Sequence, residues 1–277
     1  MTTFPSRLPF PLLSACALIM AFSWSPLPPL AAQEKQRVKY DLPENENTII
    51  FIYDQQNGFM PPRKSKAPVF LMRANGQIEM PELYGNGKDV KGKLSPAEVQ
   101  KFLHFVIAES KFLEFDANTV QGQIEHIRKT RQVPQIADAP DSIFELNLPG
   151  KAQTVRQEAI GMPSEYKEVT ALQNLLAMRR GITKLMSETR VGGKAGIRKR
   201  LVPVNVELNK QYPDVAPLTE SDFSGSYTRQ DGTLSATYSR PGKDKDGKPN
   251  GTYVTAVVQI PRNADSPTVT LRVKLKP

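Results

Sequence analysis

Across 277 residues the chain has one cysteine, two histidines and one tryptophan. Each scarcity removes a class of chemistry. A single cysteine excludes an internal disulfide and a cysteine-based zinc site. His104 and His126 share neither i, i+3 nor i, i+4 spacing, so they are no helical metal pair, and both read as solvent-facing. No G-x-S-x-G elbow is present, and no pair of carboxylates is singled out by its context as acid and base. The stretch "DKDG" at residues 244–247 has the start of a calcium loop, but Lys248 and Pro249 fall where an oxygen ligand and a glycine are required. No cofactor and no metal are expected. Long apolar runs are missing too: a bilayer-spanning helix takes about 20 residues, and the longest run here, residues 12–22, is interrupted by Ser14 and Cys16.

What the opening does have is the three-part layout of a secretory signal. Arg7 is the only charge in residues 1–32. The apolar run follows it, then "SPLPPLAA", then the polar "QEKQRVK". This predicts export, to the periplasm or beyond, with cleavage near Ala32. "LSAC" also fits the pattern preceding a lipidated cysteine, so anchoring at Cys16 is the alternative. Because "ALIMAF" prolongs the apolar core past Cys16, removal of that cysteine is the expectation. The mature chain is then free of cysteine, and its stability rests on packing.

The formal net charge of +9 is uneven. From residue 190 to the end, fifteen Lys and Arg face eight Asp and Glu. Such a basic surface attracts polyanions at long range. Nucleic acid is not expected as a partner, since no recognition motif accompanies the charge.

Element signals divide the chain. "TIIFIY" reads as a strand. Two strands about Asn75-Gly76 read as a hairpin, with both turn residues expected at positive φ. "KLSPAEVQKFLHFVIAES" has Ser95 as cap, Pro96 in the first turn and Glu98 at the capping-box position, ahead of the stripe Val99, Phe102, Leu103, Val106 and Ile107. A second helix is predicted over residues 117–132. "SIFELNLPGKAQTVRQEA" reads as a hairpin turning at Pro149-Gly150. A long helix follows, with Val169, Leu172, Leu176, Ile182 and Met186 on its apolar side.

"TRVGGKAGIRKR" is rich in glycine and basic residues and reads as a linker, residues 190–202, between domains at residues 33–189 and 203–277. The second domain is expected to carry a short helix on an antiparallel sheet. Its final runs, "TYVTAVVQIP" and "PTVTLRVKLKP", alternate with period two. That places Arg272, Lys274 and Lys276 on one outward side, with Tyr253, Thr255 and Gln259 of the preceding strand. This basic face is the candidate binding surface; the alternative is a half-solvated sheet whose lysines only discourage edge pairing. A second candidate is the contact loop with Phe59, Met60 and Arg63, in which apolar residues are flanked by charge as at interface anchors.

The segment "YDQQNGFMPPR … ANGQIE … GKLSPAEVQKFLHFVIAESKFLEFD", continuing to about residue 188, resembles a group of secreted bacterial proteins of planctomycete type. "LTESDFSGSYTRQDGTLSATYSR" is similar to the C-terminal part of the same group. Residues 48–116 are also faintly similar to the emfourin family of small metalloprotease inhibitors, although Asn57-Gly58 stands where that family has a double glycine. The resemblances imply an exported protein and, through the second, a form of protease inhibition for which no inhibitory residue carries across.

Together these features predict an α+β chain: hairpins and helices first, then a short helix on an antiparallel sheet. The expected function is an exported, non-catalytic binding or interaction module. Its partner would be an acidic envelope polymer or another exported protein. A structural component of the cell envelope is the alternative. A protease inhibitor or a hydrolase ranks below both.

Overall fold

The computed structural model describes residues 38–56, 67–81, 89–133, 139–158, 165–243, 249–262 and 266–274. The fold is α+β, built on two antiparallel sheets and the helices that cover them. The contact loop with Phe59, Met60 and Arg63, together with Cys16, "DKDG" and Lys276, lies outside the described residues.

The first sheet has the strand order β4-β3-β2-β1-β5-β6. Its strands are β1 (Ile49–Gln56), β2 (Phe70–Arg73), β3 (Gln77–Met80), β4 (Val90–Lys93), β5 (Asp141–Leu148) and β6 (Lys151–Glu158). β1 is central because it is apolar on consecutive residues. Ile50 and Phe51 point to opposite faces, yet both are fully buried. Phe51 meets Phe70 and Phe102 edge-on, and Tyr53 stacks on Phe144 with ring centres 5.0 Å apart. Such aromatic pairs add about 0.5–1.5 kcal/mol beyond their buried area.

The β2–β3 hairpin departs from the two-residue turn predicted for it. Asn75 keeps a negative φ, and only Gly76, at φ 82°, is left-handed. Ala74 joins the loop, and the Gly76 N–H donates to the Arg73 carbonyl at 2.9 Å. The three-residue loop therefore closes as a type I turn followed by a left-handed glycine.

Helix α1 (Pro96–His104) starts at the predicted capping box. The Glu98 N–H donates to Ser95 Oγ, and the Ser95 N–H donates to Glu98 Oε2 at 2.9 Å. Val99, Phe102 and Leu103 face the sheet. The helix then widens into a π-helical turn, Phe105–Glu109. Its Phe105 ring lies over Gly181 of the long helix, where a Cβ would come within 2.6 Å of the ring. Helix α2 (Ala117–Thr130) is capped by Asp116 and buries Val120 and Ile124 in a small cluster with Tyr166, Val169 and Leu172.

Helix α3 (Thr170–Arg190) carries the predicted apolar side, joined by Leu175 and Met178. Residues 190–202, read as a linker, are helical: the chain turns at Val191 and Gly192, and α4 runs Gly193–Gln211. The expected short helix is thus nineteen residues long. Glycines 192, 193 and 196 and Pro203 masked it, since each argues against a helix interior. The stripe Ile197, Leu201, Val204 and Leu208, which is buried, has the i, i+4, i+7, i+11 spacing that reveals it.

α4 covers the second sheet, ordered β10-β9-β8-β7, with β7 (Phe223–Thr228), β8 (Leu234–Lys243), β9 (Pro249–Ile260) and β10 (Thr268–Lys274). Ala236, Tyr238, Val254, Ala256 and Val258 supply the inner face. The Tyr238 hydroxyl donates to the Ile197 carbonyl at 2.9 Å, and burial pushes its pKa up to about 12. Arg200 Nη1 donates to the carbonyls of Val191 (2.6 Å) and Gly196 (2.9 Å), which ties down the start of α4.

Two glycines make opposite predictions. Gly122 of α2 has open space where a Cβ would stand, so Gly122→Ala should stabilise the fold by about 0.5–1 kcal/mol. A Cβ at Gly196 would overlap the Val191 carbonyl oxygen, so Gly196→Ala should cost about 1–3 kcal/mol. Urea denaturation of both variants checks the pair.

The capping box makes a pH prediction. Hydrogen bonds from the Ser95 N–H and hydroxyl, then the charges of Lys194 and Lys101, hold the Glu98 carboxyl below its ordinary value. A lowered folded pKa stabilises above the unfolded value, and the effect is lost as pH falls through the folded one. Glu98→Gln should therefore be less stable than wild type at neutral pH and match it in strong acid. Paired denaturation curves at both pH values read this out.

Candidate binding face of the second sheet

Strand pairing assembles the face that residue alternation predicts. Arg272 lies opposite Thr255, Lys274 opposite Tyr253, and Thr268 opposite Gln259. Next in register on β8 come Ser239 beside Thr255, Thr237 beside Val257 and Ser235 beside Gln259. Arg272, Lys274 and Tyr253 are exposed, and Thr255 and Gln259 are half-buried. These positions, with Thr270, carry no carboxylate. Thr237, Ser239 and Thr255 are half-buried there, with Ser239 Oγ 3.1 Å from Thr255 Oγ1, whereas Ser235 is fully buried.

The basic pair has a definite spacing. Arg272 and Lys274 are two residues apart on one strand, so their Cβ atoms stand about 6.6 Å apart. Neither has an ion-pair partner among the described residues. The apolar partners of the alternation, Val269, Leu271 and Val273, are half-buried against the α4 cluster. The two cations are therefore fixed on the outer side by the cost of exposing those three residues.

The Tyr253 and Lys274 end of the face opens into a shallow groove of about 620 Å³, bounded by Asp222, Arg240, Pro241 and Thr252. Arg240 does not add a free cation there. Its guanidinium donates to the carbonyls of Pro217 (2.9 Å) and Ala216 (2.5 Å) and lies 3.8 Å from Asp222 Oδ2. The hydroxyls of Thr237 and Ser239 on β8 escape a reading of the sequence, because they come beside this face only through pairing with β9.

The remaining polar candidates do not converge. His104 ends α1, with Nε2 4.0 Å from Glu109 Oε1, and His126 is exposed on α2. Among the described residues, no group of three His, Cys, Asp or Glu is disposed to hold a metal, and no helix is long and apolar enough to cross a membrane. No protein-family model, curated protein or solved structure matches the chain.

Proposed function

We propose that the chain is an exported, non-catalytic binding module whose outer sheet face takes an acidic envelope polymer. The observation that carries this reading is the exposed Arg272–Lys274 pair on a carboxylate-free face lined with hydroxyls. Repeating anionic groups on a polymer meet the two cations, and its neutral polar groups exchange hydrogen bonds with Thr255, Ser239 and Tyr253. Tyr253 adds an exposed ring beside Lys274. Binding of this kind is mainly electrostatic, because both cations are solvated and no enclosed pocket excludes water. It should fade with salt as the Debye length falls from about 10 Å at 0.1 M to about 3 Å at 1 M.

Export rests on the opening segment, where a lone Arg7 precedes the apolar core. The native protein should have the intact mass of a chain starting near Gln33. A diacylglyceryl-modified chain starting at Cys16 would overturn removal of that cysteine.

The binding test is retention on immobilised polygalacturonate across a salt series. Arg272→Gln with Lys274→Gln should elute at clearly lower salt than wild type and melt at the same temperature, since neither side chain is in the core. Equal elution of the two proteins would remove the sheet face from the proposal.

A further inference from the structure

A second concave site lies away from the sheet face. The ends of β3 and β4, helix α1, the π-helical turn and the α3–α4 turn enclose a cleft of about 580 Å³. Its floor is apolar: Ile78, Leu94, Phe102, Phe105 and Leu185. Its rim is cationic, with Lys91 and Lys93 from β4, Lys101 from α1 and Lys194 from the first turn of α4. All four lysines are exposed, and none has an ion-pair partner among the described residues.

Two carboxylates, Glu98 and Glu188, share the rim. Glu98 is committed to α1, since its Oε2 accepts from both the N–H and the hydroxyl of Ser95. Lys101 and Lys194 line the same cleft as Glu98, and their charges help hold its carboxyl below the ordinary value. Over the whole rim four lysines stand against two carboxylates, so positive charge is in excess. The N-cap of α4, Gly192, supplies no side-chain cap, so the first N–H groups of that helix add to the same sign.

We propose that this cleft binds a small amphipathic anion, its acidic head at Lys101 and Lys194 and its apolar body over Phe102, Phe105 and Leu185. Neither half suffices alone. Solvated lysines hold a simple anion weakly, and an apolar floor in an open cleft has no preference for charge. An amphipathic anion satisfies both, because its head stays at the wet rim while its body covers apolar surface worth about 25 cal/mol per Å². The volume lies within the range of about 300–1,000 Å³ usual for small-molecule sites. This site is independent of the polymer-binding face, with which it shares no residue.

The probe is decanoate, titrated calorimetrically into the full mature chain. Saturable one-to-one binding is expected, with inorganic phosphate and the uncharged octyl glucoside binding far more weakly. Lys101→Gln with Lys194→Gln should weaken decanoate binding by about tenfold, the loss of roughly one charge-assisted contact. The variant should fold and lose only a little melting temperature, because both side chains are exposed and act on Glu98 only as solvated charges. Arg272→Gln with Lys274→Gln should bind decanoate as wild type does, whatever its behaviour on polygalacturonate. Co-sedimentation with phosphatidylglycerol vesicles separates a free amphiphile from a membrane surface. Absence of decanoate binding, equal binding by the Lys101/Lys194 variant, or capture by vesicles alone would overturn the proposal.

Discussion

The structure depends on α3 burying its side chains in three places at once. A helix of twenty-one residues is roughly 31 Å long, enough to reach past a single core. At its start, Leu172 and the preceding Val169 close the cluster under α2. Along its middle, Leu175, Met178, Ile182 and Met186 fill the core of the first sheet. At its end Ser187 reaches the second sheet: Ser226 Oγ donates to the Ser187 carbonyl at 2.8 Å, both residues being buried. Val191, just past the helix, begins the third cluster. A break in α3 would therefore uncouple packing on both sides of it.

That arrangement also explains why residues 190–202 are ordered. A chain leaving α3 toward the second sheet must reverse direction with few residues, and Gly192 in the left-handed region allows this. Gly196 permits a close approach to the Val191 carbonyl, and Arg200 donates to that same oxygen. The glycines and the arginine are turn chemistry in the service of a helix pair. The basic residues that suggested a solvated linker divide in role. Arg200 is half-buried and bonded to backbone, Arg198 pairs with Glu220, and Lys194 stands at the rim of the cleft.

The two candidate sites differ in physical kind. The outer sheet face is open and carries two exposed cations, Arg272 and Lys274. The cleft is concave, with apolar residues among its lysines. Both use cations held in place by burial of neighbours: Val269, Leu271 and Val273 beneath Arg272 and Lys274, and Val99, Phe102 and Leu103 beneath Lys101. Charge alone would not orient these side chains, since exposed ion pairs are worth little.

Local physics made much of this legible from the sequence. The Ser95–Glu98 box, the apolar run at β1 and the hairpin at Pro149-Gly150 each depend on residues a few positions apart. The same holds for the alternation that turns Arg272 and Lys274 outward with Tyr253 and Thr255, since a period of two is a property of the strand itself. Only the tertiary structure decided the rest. Helix α4 forms through glycines and a proline because burying Ile197, Leu201, Val204 and Leu208 on the second sheet outweighs their propensity. Thr237 and Ser239 come beside Val257 and Thr255 through strand register, which no single strand encodes. The cleft joins Lys93 and Lys101, from the consecutive elements β4 and α1, to Leu185 and Lys194, from α3 and α4 far downstream, and nothing local to either pair marks it. Their convergence follows from where α3 ends and how the chain reverses there.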